Sequence, residues 1–159
     1  MNLPLTSSRR FVVVLGMLTS IVAFSIDIAL PAIPPMVSDL GISMSVGQQV
    51  VGLFMAGMAA GQLPFGLISD RIGRMPVLYA GISLFTAAGF LATLSNDTDV
   101  LLIARFFQGV GASAGMVLAR AIVRDVSSGK ESARLMSIMV TIFSALFLNF
   151  GLQTWFAER

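Results

Sequence analysis

The chain contains no histidine and no cysteine. The usual proton carrier near neutral pH, the commonest metal ligand and all thiolate chemistry are therefore absent, and any proton carrier must be a carboxylate. Two charges stand inside apolar runs: Asp27, within Phe24-Ser25-Ile26-Asp27-Ile28-Ala29-Leu30-Pro31, and Arg105, within Leu101-Leu102-Ile103-Ala104-Arg105-Phe106-Phe107-Gln108. A charge inside hydrocarbon costs several kcal/mol unless it is paired or hydrated, so each is a functional candidate by default. The bland alternatives are a structural ion pair for Asp27 and a snorkelling side chain for Arg105. Gln108, three residues beyond Arg105, shares its helix face and weighs against the second. A guanidinium stays protonated, so of the two only Asp27 can carry a proton.

A second set of charges lies between apolar runs. Asp70, Arg71 and Arg74 stand among Gly66 and Gly73, a composition suited to a tight turn with an acid and bases close enough to latch. Arg120 and Asp125 follow a later apolar run and are candidate charge partners for Asp70 and Arg74. Gly57 and Gly61, like Gly111 and Gly115, are four apart, so each pair makes a strip where another helix backbone can approach; Gly52, Ala56, Ala60, Ala112 and Ala114 broaden these strips. No nucleophile with its base, no phosphate-binding loop and no metal-ligand cluster is present, so the sequence is not expected to be an enzyme or to hold a metal.

The elements that must carry these residues follow from composition. With 159 residues, 56% of them hydrophobic and 11% charged, and a mean hydropathy of +0.89, the chain has more apolar surface than one soluble core of that length could hide. The fold expected is all-α, an integral membrane bundle of about five transmembrane helices over residues 11–33, 47–69, 77–95, 100–122 and 135–155, each long enough for about 30 Å of hydrocarbon. Between them lie short connections, at 34–46 with a Pro34-Pro35 breaker, 70–76, 96–99 and 123–134. Arg9, Arg10, Arg71, Arg74, Arg124, Lys130 and Arg134 all fall on one side, against Asp39, Asp97 and Asp99 on the other, which puts the N-terminus in the cytoplasm. The scattered basic residues make no nucleic-acid surface. The expected partner is the lipid bilayer.

Three strings resemble a known family. Gly66-Leu67-Ile68-Ser69-Asp70-Arg71-Ile72-Gly73-Arg74 resembles the loop signature of the major facilitator superfamily between its second and third spans. Arg105-Phe106-Phe107-Gln108-Gly109-Val110-Gly111-Ala112-Ser113 resembles the fourth-span motif of its drug-exporting members. Asp27-Ile28-Ala29-Leu30-Pro31-Ala32-Ile33-Pro34 is similar to a string of the Bcr/CflA-type drug-resistance branch, as is Ala119-Arg120-Ala121-Ile122-Val123-Arg124-Asp125. The resemblance runs from about residue 10 to 137. It implies twelve helices in two halves around a cavity open to alternate sides, with proton-driven export of varied small molecules from a bacterial inner membrane. It also implies no cofactor beyond the proton gradient, gating by the loop residues, and proton coupling or substrate contact by Asp27, Arg105 and Gln108. Asp27 and Arg105 come at depths within about 2 Å of one another on their spans and are expected to face each other across the cavity.

The sequence departs from that branch after about Met139, where the expected Gly- and Pro-rich bends are missing, and it stops at Arg159. The expectation is therefore a partial N-terminal domain without the C-terminal half: a fragment, an interrupted frame or a short form, inactive alone. A nontransporting membrane protein that pairs with a complete transporter chain is the alternative. The small-molecule substrate cannot be read from the sequence.

Overall fold

The structure, a computed structural model, describes residues 9–157. It consists of six helices, α1 (Arg9–Asp27), α2 (Ala29–Leu40), α3 (Met44–Ile72), α4 (Arg74–Leu94), α5 (Thr98–Val126) and α6 (Gly129–Ala157), with no strand among the described residues. Among the described residues, four apolar stretches are long enough to cross a membrane: Val13–Leu40, Met44–Ile72, Arg74–Leu94 and Thr98–Val126. In α3 and α4 only 17% and 22% of the apolar window is buried within the molecule, so the remainder is left for lipid. Leu63, Leu67, Tyr79, Phe90 and Leu94 are among these outward side chains. The molecule is an integral membrane helical bundle. The fifth expected span, 135–155, lies within α6 as helix, but most of its side chains from Phe143 onward fall outside the described residues.

The helices outrun the expected spans. At 29 residues, α3 and α5 are each about 43 Å long, beyond the hydrocarbon at one or both ends. The connections shrink to match. Asp70 to Ile72 are the last residues of α3, only Gly73 separates α3 from α4, and only Ser127 and Ser128 separate α5 from α6. The Pro34-Pro35 breaker does not break: both prolines lie inside α2. The interruption comes earlier, at Ile28, because Pro31 has no N–H to give the carbonyl of Asp27 four residues before it. At the other end α2 is stopped by Gly41, whose left-handed φ of 64° lets its N–H and that of Ile42 turn back to the Val37 carbonyl.

Helix starts are set by short polar side chains. Ser43 caps α3 by accepting from the Val46 N–H, and the Asp97 carboxylate caps α5 by accepting from the N–H groups of Asp99 at 2.8 Å and Val100 at 3.4 Å. Several hydroxyls within the apolar helices are satisfied locally. Ser20 donates to Gly16 O, Thr86 to Ile82 O, Thr93 to Gly89 O and Ser113 to Val110 O, so these four carry no unmade bond into hydrocarbon.

The chain divides into two compact units. One comprises Met1–Asp27 and Ala119–Arg159, the other Ile28–Leu118. In the first, α1 packs on α6 and the core is made of side chains: Leu15 of α1, Ala119 and Val123 of α5, Leu135 and Met139 of α6, with Leu18, Ile122 and Met136 against them. In the second, α2 packs on α3 at Gly47, where a Cβ would come within 3.0 Å of the Ile33 side chain and closer still to Val37. The Thr98–Leu118 part of α5 lies against both α3 and α4 with very close backbone approach.

Candidate functional site

That close approach positions the embedded polar residues. On α3, a Cβ added to Gly57 would overlap the Phe106 carbonyl oxygen, and one added to Gly61 would overlap Ser113 Oγ and lie 2.9 Å from Val110 O. On the facing side of α5, a Cβ at Gly109 would overlap the Phe54 carbonyl oxygen. Gly57 thus lies on the Phe106 backbone, Gly61 on the Val110 backbone and the Ser113 hydroxyl, and Gly109 on the Phe54 backbone. Gly111 faces elsewhere. Its Cβ would come 2.5 Å from the Phe85 N and 2.7 Å from Gly81 O, both on α4, while Gly81 in turn abuts Ala114. Residues two positions apart on a helix point about 200° apart, so Gly109 and Gly111 serve opposite neighbours. Gly115 is buried, whereas Gly52, Ala56 and Ala60 are exposed and add nothing to the α3 strip.

Arg105 and Gln108 stand one turn apart on this clamped segment of α5. The guanidinium Nη1 donates to Gln108 Oε1 at 3.0 Å, and both side chains are half-buried. The amide is oriented from its other end as well. Its Nε2 rests over Gly89 of α4, where a Cβ would lie 3.0 Å away. A bare glycine therefore makes the niche in which the amide lies, and Gln108 presents its oxygen to Arg105. Gly89 was not singled out in the sequence, and the signal was faint: one glycine among the small residues Ala87, Ala88 and Gly89.

Asp27 is the last residue of α1, next to the Ile28 interruption, and is half-buried. It belongs to the unit of α1 and α6, whereas Arg105, Gln108 and Gly89 belong to the other.

The turn between α3 and α4 is a local clamp. Gly73 takes φ +98°, a region that side chains disfavour, and its N–H returns to Ser69 O at 3.1 Å. Past that turn the Arg74 guanidinium folds back over the end of α3. It pairs with the Asp70 carboxylate and donates to Ser69 Oγ at 2.7 Å. Ser69 is buried and donates onward to Gly66 O at 2.8 Å. Gly66 itself has room, with Val117 of α5 3.8 Å from a Cβ placed there. Arg71 is exposed. Arg120 and Asp125, the other candidate charges, are exposed on the last turns of α5, in the unit of α1 and α6. Ser69, not among the expected site residues, is the buried anchor of the turn.

These features define a polytopic helical membrane protein with a polar pair held inside one span and a charged clamp at one helix turn. Residues 15–152 match the Major Facilitator Superfamily. The chain is 41% identical over 128 residues to an uncharacterized MFS-type transporter, YdgK, of Bacillus subtilis, covering 80% of this chain and 32% of that protein. It is 40% identical over 114 residues to the multidrug resistance protein MdtL of Shewanella oneidensis, covering 72% and 29%. A chloramphenicol resistance protein of Pseudomonas aeruginosa is 38% identical over 111 residues, covering 70% and 26%. This chain belongs to the Major Facilitator Superfamily, and it resembles the Bcr/CflA-type drug-efflux proteins within it. It spans about a third of the length of the curated relatives it matches.

Proposed function

We propose that this chain supplies N-terminal helices of a proton-coupled exporter of drug-like small molecules in a bacterial inner membrane, with its N-terminus in the cytoplasm. The observation that carries the reading is the Arg105–Gln108 pair, a half-buried cation bonded within an apolar helix. Holding such a charge costs energy that packing alone does not require. Multidrug and chloramphenicol resistance among the relatives supports the substrate class. The alternation along the chain of connections with Arg71 and Lys130 and connections with only Asp39 and Asp99 supports the orientation.

In this reading Asp27 takes up and releases the proton, Arg105 tunes the cavity's field and Gln108 aims Arg105. The Gly66 to Arg74 turn stiffens the junction of α3 and α4 so that the helices move as one body during gating, with Arg120 and Asp125 at the end of α5 as candidate charge partners. The energy source is the proton gradient, without a cofactor. The remaining helices of the transport path come from sequence matching the other two-thirds of the relatives.

The test is chloramphenicol efflux from liposomes containing a chain of the relatives' full length that carries these residues. Arg105→Ala is expected to lower gradient-driven efflux about tenfold or more, and Arg105→Lys, which keeps the charge but loses the planar fork, to lower it less. Unchanged efflux in Arg105→Ala would remove the pair from the mechanism.

A further inference from the structure

Outside the polar pair, a groove of about 560 Å³ opens where α3 meets the first turns of α5, lined by Leu53, Asp99, Leu102, Ile103, Phe106 and Phe107. Its walls are apolar except at one end. Asp99 is in the first turn of α5, and Phe106 and Phe107 come seven and eight residues later, about 11 to 12 Å deeper along the helix. The two rings meet edge to face, their centroids 5.6 Å apart, and make a firm floor. Ile103 and Phe107 turn outward, 56% and 48% exposed, so the groove is open along its length.

Asp97 and Asp99 are neighbours with different tasks. The Asp97 carboxylate is committed to the helix start, accepting from two backbone N–H groups. The Asp99 carboxylate makes no hydrogen bond or ion pair among the described residues, and the connection from Ser95 to Asp99 holds no Lys or Arg. The groove therefore carries one negative charge at its interfacial end and hydrocarbon below it.

We propose that this groove is a binding site for a phospholipid whose headgroup carries an ammonium, such as phosphatidylethanolamine, with the ammonium on Asp99 and an acyl chain along Leu53, Ile103 and Phe107. The polarity runs in the order that such a lipid presents it, cation at the interface and chain inward, and the groove's length accepts the first several carbons of a chain. An anionic lipid with no ammonium meets repulsion at Asp99. Because the site needs only a bilayer and no particular orientation of the chain, it stands apart from the transport reading.

The experiment is native mass spectrometry of this chain in detergent, titrated with phosphatidylethanolamine and with phosphatidylglycerol of the same acyl chains. One phosphatidylethanolamine should be retained about fivefold more strongly, the size expected of one ammonium–carboxylate contact at an interface. Asp99→Asn should erase the preference and leave helicity by circular dichroism unchanged. Ile103→Ala, which opens the wall, should weaken retention of both lipids without altering their ratio. Equal retention of the two lipids by the unaltered chain, or a preference that survives Asp99→Asn, would overturn the assignment. Loss of phosphatidylethanolamine to micromolar tetraphenylphosphonium would overturn it in favour of a lipophilic-cation site.

Discussion

The two compact units of this chain are held together by different means. In the unit of α1 and α6, cohesion comes from interlocking side chains, with Leu15, Val123, Leu135 and Met139 buried together. In the unit of α2 to α5, it comes from backbones pressed together at Gly57, Gly61, Gly81, Gly109 and Gly111, where there is no space for even a methyl group. A side-chain core loses energy when atoms are removed. A backbone seam loses it when atoms are added. The difference matters because the Arg105–Gln108 pair rides on the seam: helices that touch through their backbones have little freedom to roll, and the polar pair on α5 is held in place accordingly.

The largest effect is expected at the seam. Gly57→Leu forces α3 off the Phe106 carbonyl and should cost about 3 kcal/mol or more, seen as loss of folded, helical protein on extraction into detergent. Val123→Ala in the side-chain core removes two methyl groups and should cost about 1 to 2 kcal/mol, read as a lower midpoint of unfolding in a denaturing detergent. If the two variants are equally tolerated, the distinction between the units falls. The smallest effect should come from Gly52→Ala, also on α3, where nothing lies within 4 Å of the added Cβ. Stability there should stay within about 1 kcal/mol and move, if at all, upward by helix propensity. A marked loss at Gly52 would mean that glycines of α3 act through something other than the seam.

The helical spans were legible because apolar runs of about 20 residues have few alternatives to crossing a bilayer. The adjacency of Arg105 and Gln108 was legible for an equally simple reason, since residues three apart share a helix face. Other features depended on neighbours that a single chain of letters does not name. Gly109 and Gly111 are two positions apart and serve different helices, so pairing Gly111 with Gly115 by spacing identified small residues without identifying what they touch. Pro34 and Pro35 read as a stop, yet α2 continues through them to Leu40, and the interruption falls at Ile28, set by the N–H that Pro31 lacks. Asp97 was counted only as an outer-face charge and proves to cap α5. The local latch of Asp70 with a neighbouring arginine was legible from the charges around Gly73, whereas the bond from Arg74 to Ser69 depended on how the turn folds back.

The proposed role of Asp27 as carrier of the coupled proton is tested most directly by Asp27→Asn in a chain of the relatives' full length, reconstituted in liposomes under an imposed pH gradient. Normal insertion and helicity are expected, together with loss of chloramphenicol accumulation against its gradient. Uphill accumulation at the unaltered rate in Asp27→Asn would contradict it.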